Sequence, residues 1–190
     1  MAKVYVPLVI GIGLLLAAYH LQSLRFDSLP TLVLLIVLGS VSQVTAVTLF
    51  GPTAVSLTFP FVFLSLLWFG PGAAILTNAG SVVVFSLFPV RRPLYKAAFN
   101  FGSYSFATGA AAGVYQTLGG VIPTEGLLPS LTPVAFAALT YYVANTFTVS
   151  LVIALTSDQS PVRVWVLNLQ MVVPLLPGLG PGRPSGRHRV

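Results

Sequence analysis

Charged residues are scarce in this sequence, and acidic residues are the scarcest of them. Only 6% of the 190 residues are charged and just three are Asp or Glu, whereas an average soluble domain carries about 25% charged residues. Hydrophobic residues make up 56% of the chain, and its mean hydropathy is +0.93. A chain with so little charge and so much apolar surface is predicted to be a membrane protein.

Cysteine is absent, which excludes disulfides, thiolate metal sites and cysteine nucleophiles. His20 and His188 have no metal-ligand spacing, so we expect each of them to be packed or interfacial. Asp27, Glu125 and Asp158 fall in different predicted loops, whereas acid–base catalysis requires carboxylates within one site. The sequence also lacks a Gly-rich phosphate-binding motif with Lys and a nucleophile elbow. We therefore predict that the chain is not an enzyme and has no metal site and no cofactor.

Apolar runs recur along the chain, and several are long enough to cross a hydrocarbon core of about 30 Å. Because helices satisfy their backbone hydrogen bonds within one segment, we predict an all-α integral membrane protein. Its membrane domain covers residues 1–176 and is a bundle of about six transmembrane helices. The predicted spans are residues 5–21, a span that begins at Pro30, and residues 61–69, 73–88, 97–118 and 131–155.

Two segments depart from this pattern. Near residues 44–59, apolar and polar residues alternate after the Gly51-Pro52 turn, which is typical of an extended hairpin. A continuation of the second helix to Phe50 is the alternative, since open strand edges cannot face lipid. The last apolar piece, residues 164–179, contains two amides and two prolines, and it is predicted to be interfacial or re-entrant.

Positive charges indicate the orientation of the chain. The strongest cluster is Arg91, Arg92 and Lys96, between the fourth and fifth spans, and the positive-inside rule places that loop in the cytoplasm. With six spans, Lys3 and the N-terminus are then also cytoplasmic. The loop that contains Glu125 is predicted to face outward.

The end of the chain has a different composition. Residues 177–190 are rich in Gly, Pro and Arg, and we expect a disordered tail at a truncated or altered end. The net charge of +6 is scattered through membrane-flanking loops and this tail, so it does not form the single basic face that nucleic-acid binding requires. We therefore predict the lipid bilayer as a partner and no nucleic acid.

The fifth span combines a polar first half with small residues in its second half. Asn100, Ser103 and Tyr104 fall at i, i+3 and i+4, so they share one helical face, and in lipid that face must look into the bundle. Gly109 and Gly113 form a GxxxG pattern that allows a neighbouring backbone to approach closely. We predict that this span is the central helix. The pattern leaves open whether the two glycines pair helices within one chain or in a homodimer.

Polar residues in the fourth and sixth spans allow two interpretations. Asn78, Tyr142 and Asn145 can bond across helices and fix their packing, each bond contributing roughly 0.6–2 kcal/mol. Alternatively, they line a cavity together with Asn100 and Tyr104, since polar groups inside the membrane tend to mark sites. Such a cavity would accept a small apolar, uncharged or aromatic ligand. The sequence leaves both interpretations open.

Three stretches carry a resemblance to a known family. They are VSLTFPFVFLSLLWFGPGAAIL, RRPLYKAAFNFGSYSFATGAAAGVYQTLGG and YYVANTFTVSLVIAL. The sequence over residues 30–165 is similar to the N-terminal membrane-sensor modules that precede HD-type phosphohydrolase, HD-GYP or GGDEF domains in bacterial signalling proteins, with Gly70-Pro71, Phe99-Asn100 and Asn145 as its markers. The resemblance implies a sensor in the bacterial inner membrane that regulates a cytosolic domain. Neither a His-Asp pair nor Gly-Gly-Asp-Glu-Phe occurs in the sequence, so the resemblance implies the sensory part alone.

A transporter component is the alternative to the sensor. The six-span layout with its Phe-Gly-Pro-Gly-Ala break also looks like the substrate-binding membrane component of energy-coupling vitamin transporters. Such a component would bind a vitamin-sized ligand on its outer side and would require ATPase and membrane coupling partners. The outer loop offers only Thr124 and Glu125 as polar candidates for that ligand.

Overall fold

The structure, a computed structural model, describes residues 2–22, 24, 28–44, 47–50, 53–55, 58–87, 91–122, 131–157 and 159–172. These residues form helices α1 (Ala2–Leu21), α2 (Leu29–Val44), α3 (Thr58–Phe69), α4 (Pro71–Leu87), α5 (Leu94–Thr117), α6 (Leu131–Ser157) and α7 (Pro161–Val172), and strands β1 (Val47–Phe50) and β2 (Thr53–Val55). Asp27, Glu125, Asp158 and the tail of residues 177–190 lie outside the described residues.

The predicted helical class is confirmed, and each predicted span corresponds to a helix. Within the described ranges, two helices are long and apolar enough to cross a membrane by themselves: α1 with 20 residues and α6 with 27. Helices α2, α3 and α4 are apolar but shorter, and α5 has 24 residues but a more polar composition. The number of helices that cross the membrane stays a prediction.

Residues 44–59, for which the sequence allowed either a hairpin or a longer second helix, contain a short hairpin. Helix α2 ends at Val44 and does not continue to Phe50. Strands β1 and β2 pair antiparallel, with Val47 opposite Val55 and Thr48 opposite Ala54.

A glycine and a proline separate α3 from α4. Gly70 has a φ of +89°, a left-handed conformation that glycine adopts without steric cost and that commonly ends a helix. Its N–H donates to the carbonyl oxygen of Leu66 at 3.0 Å. Pro71 then begins α4, where its missing N–H costs no hydrogen bond.

Helices α4 and α5 occupy the centre of the bundle. Helix α4 packs against α1, α2, α3 and α5, while α5 packs against α1, α4 and α6. The fifth span therefore shares the centre with the fourth. Helix α7 packs against α6.

The closest helix contact is not at the predicted glycines. Gly13 of α1 meets Gly102 of α5 backbone to backbone, whereas a Cβ on Gly113 would meet no described atom within 4 Å. A Cβ on Gly109 would lie 3.4 Å from His20 Nε2, which is ordinary packing. The sequence pattern did not identify the contact at Gly102, because a GxxxG pattern does not specify where a neighbouring helix crosses.

Helices α1 and α5 run in the same direction, and α6 runs opposite to them. The rings of Tyr5 and Phe99, near the starts of α1 and α5, have centroids 6.3 Å apart. Further along, Gly109 lies against Leu16. The Tyr5 hydroxyl donates to the carbonyl oxygen of Thr148, in the second half of α6, at 3.1 Å. The start of α1, the start of α5 and the end of α6 therefore lie at the same end of the bundle.

All Lys and Arg residues among the described parts of the chain lie at this end, and all are exposed. We call them the basic end: Lys3, Arg91, Arg92, Lys96 and Arg163. The guanidinium carbon of Arg92 lies 3.6 Å from the ring centroid of Phe85, a cation–π contact that holds this side chain against α4. Tertiary packing thus brings together cations that the sequence separates by up to 160 residues.

Candidate functional site: a buried amide, hydroxyl and phenol junction

Asn78 joins three helices through its side chain. Its carboxamide nitrogen donates to Thr108 Oγ1 of α5 at 3.1 Å, and its oxygen accepts from the Tyr141 hydroxyl of α6 at 3.4 Å. The residue itself lies in α4 and is only 2% exposed. We call Asn78, Thr108 and Tyr141 the polar junction.

An aromatic side chain of α3 contacts the phenol of the junction, Tyr141. The Tyr141 ring lies 5.3 Å, centroid to centroid, from that of Phe59 in α3. Tyr104 of α5 lies one turn before Thr108, on the same face of that helix. At 3.4 Å, the hydrogen bond from Tyr141 to Asn78 is longer than the usual range of about 2.5–3.0 Å for an O–H donor, so it is the weaker of the two bonds at the junction.

A second polar contact links α5 to α6. Ser103 Oγ donates to Asn145 Oδ1 at 3.2 Å. Ser103 is fully buried and Asn145 is partly exposed. Asn145 lies one turn after Tyr141 on α6, so both contacts are on the α5–α6 side of the bundle.

The predicted site residues do not form a single cluster. Asn78 belongs to the polar junction, and Tyr104 lies one helical turn from Thr108. Ser103 and Asn145 bond to each other. Asn100 is partly exposed and belongs to neither contact among the described residues.

Tyr142 is the last of the predicted site residues. The Tyr142 hydroxyl is buried, and it has no hydrogen-bond partner in the described part of the chain. The side chain of Tyr142 points away from that of Tyr141, because the side chains of consecutive helical residues are about 100° apart around the helix axis.

Two members of the junction were not among the predicted site residues. Thr108 follows Tyr104 by four positions, and Tyr141 precedes Asn145 by four. Extending the i, i+4 rule from the predicted residues would have identified both side chains. It would not have shown that Asn78 bonds to them, because that pairing depends on how three helices pack.

Hydroxyl groups also connect α2, α3 and α4. Thr58 Oγ1 of α3 donates to Gln43 Oε1 of α2 at 2.8 Å, and the hydroxyls of Ser65 and Thr77 are 2.8 Å apart. Thr77 also donates to the carbonyl oxygen of Ala73 at 3.1 Å. These residues were absent from the predicted site, and their bonds fix the packing of α2 and α4 on α3.

The junction offers amide, hydroxyl and phenol groups, which bind uncharged polar ligands. It contains no carboxylate, imidazole or amine to take up or release a proton near neutral pH. Among the described residues, no group of three or more His, Cys, Asp or Glu could hold a metal ion.

A helical bundle that is apolar outside and joined by a buried amide and buried hydroxyls defines a membrane-associated protein of the kind the composition predicts. The chain belongs to the MASE9 family, which it matches over residues 14–176. This is a family of membrane-associated sensor domains. No curated protein sequence and no solved structure matches the chain.

Proposed function

We propose that this chain is a multi-pass sensory module of a bacterial cytoplasmic membrane and that it regulates a cytosolic domain of the cyclic-dinucleotide or HD phosphohydrolase type. Membership of the MASE9 family supports the sensory part. The single observation that carries the mechanism is Asn78, a buried amide bonded to two other helices. The family match does not favour the vitamin-transporter alternative.

The polar junction is proposed as the place where the stimulus acts. A small uncharged or aromatic ligand that accepts a hydrogen bond from the Tyr141 hydroxyl would replace the 3.4 Å bond to Asn78. The shorter bond to Thr108 would hold the amide on α5. Binding would thereby separate α6 from α4 while α4 and α5 stay joined, and that change in helix position is the proposed signal.

The proposed orientation has the basic end in the cytoplasm. The five described cations are exposed there, which is the distribution that the positive-inside rule associates with the cytoplasmic side. The N-terminus and α7 would then be cytoplasmic, and the six helices α1 to α6 would cross the membrane. A change in α6 would reach α7 directly, because the Trp165 indole N–H donates to Thr146 Oγ1 at 3.2 Å.

The test uses the protein as it occurs in its source membranes. We expect an immunoblot against a loop peptide from this chain to detect a polypeptide well above 20.1 kDa, the mass of these 190 residues. We also expect cyclic-dinucleotide turnover in those membranes to change when Tyr141→Phe is introduced into the native gene. Tyr95→Phe is the matched control, because Tyr95 is 59% exposed at the start of α5.

Two results would contradict the proposal. Unchanged turnover in the Tyr141→Phe membranes would remove the junction from the signalling path. A native band at the mass of this chain, in membranes without cyclic-dinucleotide turnover, would instead favour a self-contained component such as the transporter subunit.

A further inference from the structure

One face of α5 changes from closed to open along its length. Asn100, Tyr104, Ala107 and Ala111 follow one another at intervals of three or four residues, so they lie on one side of this helix. Ala107 and Ala111 are 0% exposed and pack in a core cluster with residues of α3, α4 and α6, so this side faces the bundle interior. Tyr104 and Asn100, nearer the basic end, are nevertheless partly exposed. An interior face that is accessible at one end indicates a space that opens toward that end.

The side of α6 that faces α5 shows the same change. Tyr141 is 7% exposed, whereas Asn145, one turn nearer the basic end, is partly exposed and accepts a hydrogen bond from Ser103 of α5. We call the space beside Asn100, Tyr104 and Asn145 the recess. On both helices it extends to within one turn of the polar junction.

Toward the opposite end of the bundle, the interior faces next to the junction are closed. Ala74 of α4, Ala111 and Tyr115 of α5 and Ala137 of α6 are at most 1% exposed. All four residues belong to the same hydrophobic core cluster. A ligand that approached from this end would therefore have to separate packed helices.

Amide and phenol groups line the recess, because Asn100, Tyr104 and Asn145 are its partly exposed side chains. Hydrocarbon would leave such groups without hydrogen-bond partners, whereas water supplies both donors and acceptors. The chemistry of the lining therefore favours water in the recess over lipid.

Cations lie at the mouth of the recess. Lys96 precedes Asn100 by one turn on the same face of α5 and is exposed. On α4, Phe85 follows Asn78 by seven residues, so it lies on the same face two turns nearer the basic end. The guanidinium carbon of Arg92 is 3.6 Å from the centroid of the Phe85 ring. Charged groups within a membrane protein usually face water, so these two cations support a hydrated mouth.

We propose that the polar junction receives its ligand through this recess, from the water at the basic end, and that the ligand is a small water-soluble molecule. This inference rests on the proposed function, and it adds the side and the phase from which the stimulus comes. A molecule dissolved in the hydrocarbon is disfavoured, because it would displace water from the amides without replacing the hydrogen bonds of that water.

The test uses the full chain in its membrane and the absence of native cysteine. Single cysteines replace Asn100 in the recess, Lys3 at the basic end and Val121 at the opposite end. Sulfonatoethyl methanethiosulfonate, which is small and membrane-impermeant, is added to intact cells and to inverted vesicles. It reacts with the ionised thiol and therefore reports a hydrated position. We expect Asn100→Cys to be labelled from the side that labels Lys3→Cys, and not from the side that labels Val121→Cys.

Ala111→Cys is the matched control, because Ala111 is on the same face of α5 but 0% exposed. We expect Asn100→Cys to react roughly a hundredfold faster than Ala111→Cys, since a thiol enclosed by apolar packing stays protonated and only the thiolate reacts. The melting curve of each variant establishes that it is folded. Asn145→Cys, on the α6 wall of the recess, carries the test if Asn100→Cys does not fold.

Three results would overturn the proposal. The first is labelling of Asn100→Cys from the side of Val121. The second is reaction of Asn100→Cys with membrane-permeant N-ethylmaleimide alone, which would show that this position faces hydrocarbon. The third is an equal labelling rate in Asn100→Cys and Ala111→Cys.

Labelling does not depend on the signalling output, so the two proposals can fail separately. Unchanged cyclic-dinucleotide turnover in Tyr141→Phe would reject the proposed function even if the recess were labelled as expected. An unlabelled Asn100→Cys together with altered turnover in Tyr141→Phe would reject the recess alone.

Discussion

Gly13 of α1 and Gly102 of α5 touch through their backbones, with no side chain between them. A Cβ on Gly13 would overlap the Gly102 Cα, and a Cβ on Gly102 would lie 2.7 Å from the carbonyl oxygen of Val9. Small residues that permit such an approach are a main source of helix association in membranes. This contact sets the position of α1 on α5 and therefore aligns Tyr5 with Phe99 at the basic end.

Gly102→Ala is expected to destabilise the bundle, because its new methyl group would push against the Val9 carbonyl. Overpacking of this kind costs about 1–3 kcal/mol, which outweighs the gain of up to about 1 kcal/mol in helix propensity. Gly113→Ala is the control, since its methyl group would meet no described atom within 4 Å, and we expect it to keep or raise stability. Thermal unfolding in a mild detergent measures both. Wild-type stability in Gly102→Ala would show that this helix contact is not close.

Asn78→Leu is expected to lower the free energy of unfolding by about 1–3 kcal/mol, because it leaves a buried hydroxyl on Thr108 without its donor. Tyr141→Phe removes only the 3.4 Å bond and should cost less than Asn78→Leu. Thr117→Val is the control, since the exposed Thr117 donates only to the Gly113 carbonyl oxygen of its own helix. Unfolding in detergent measures all three. A larger loss in Tyr141→Phe than in Asn78→Leu would contradict the order of the two bonds.

Trp165→Ala is expected to loosen α7 from α6, because it removes the bond to Thr146 and the ring contact with Phe147. A single cysteine at Val164, which is 6% exposed, reports the change in this cysteine-free chain. Its labelling by a thiol reagent in detergent should become faster in Trp165→Ala. Trp68→Ala is the control, because Trp68 is 45% exposed on α3. Equal labelling rates would show that α7 is held by other contacts.

The proposed orientation predicts which positions an impermeant thiol reagent reaches in intact cells. A single cysteine at Val121, which follows α5 at the end opposite the basic residues and is 55% exposed, should be labelled. A single cysteine at Lys3 should be labelled only after the cells are opened. Labelling of the Lys3 position in intact cells would reverse the orientation, because the reagent cannot cross the membrane.

The apolar runs, and the Gly and Pro residues between them, were enough to predict the helices. Scarce charge and long apolar segments made α1 and α6 recognisable as candidate spans, and Gly70-Pro71 marked the break between α3 and α4. These are local properties, since hydropathy and backbone conformation depend on the residue and its close neighbours in sequence. The sequence pattern that predicts the hairpin of residues 47–55 is weaker. A short alternating pattern next to a helix also fits a continuation of that helix.

Sequence by itself determined that the protein is helical, apolar and free of cysteine, and that Asn78 and Asn145 interrupt apolar helices. Only the tertiary structure decided that Asn78 bonds to residues 30 and 63 positions later in the chain. It also decided that α1 and α5 approach each other most closely at Gly13 and Gly102. The helical period specifies which residues share a face. Which neighbour covers that face depends on the packing of all the helices together.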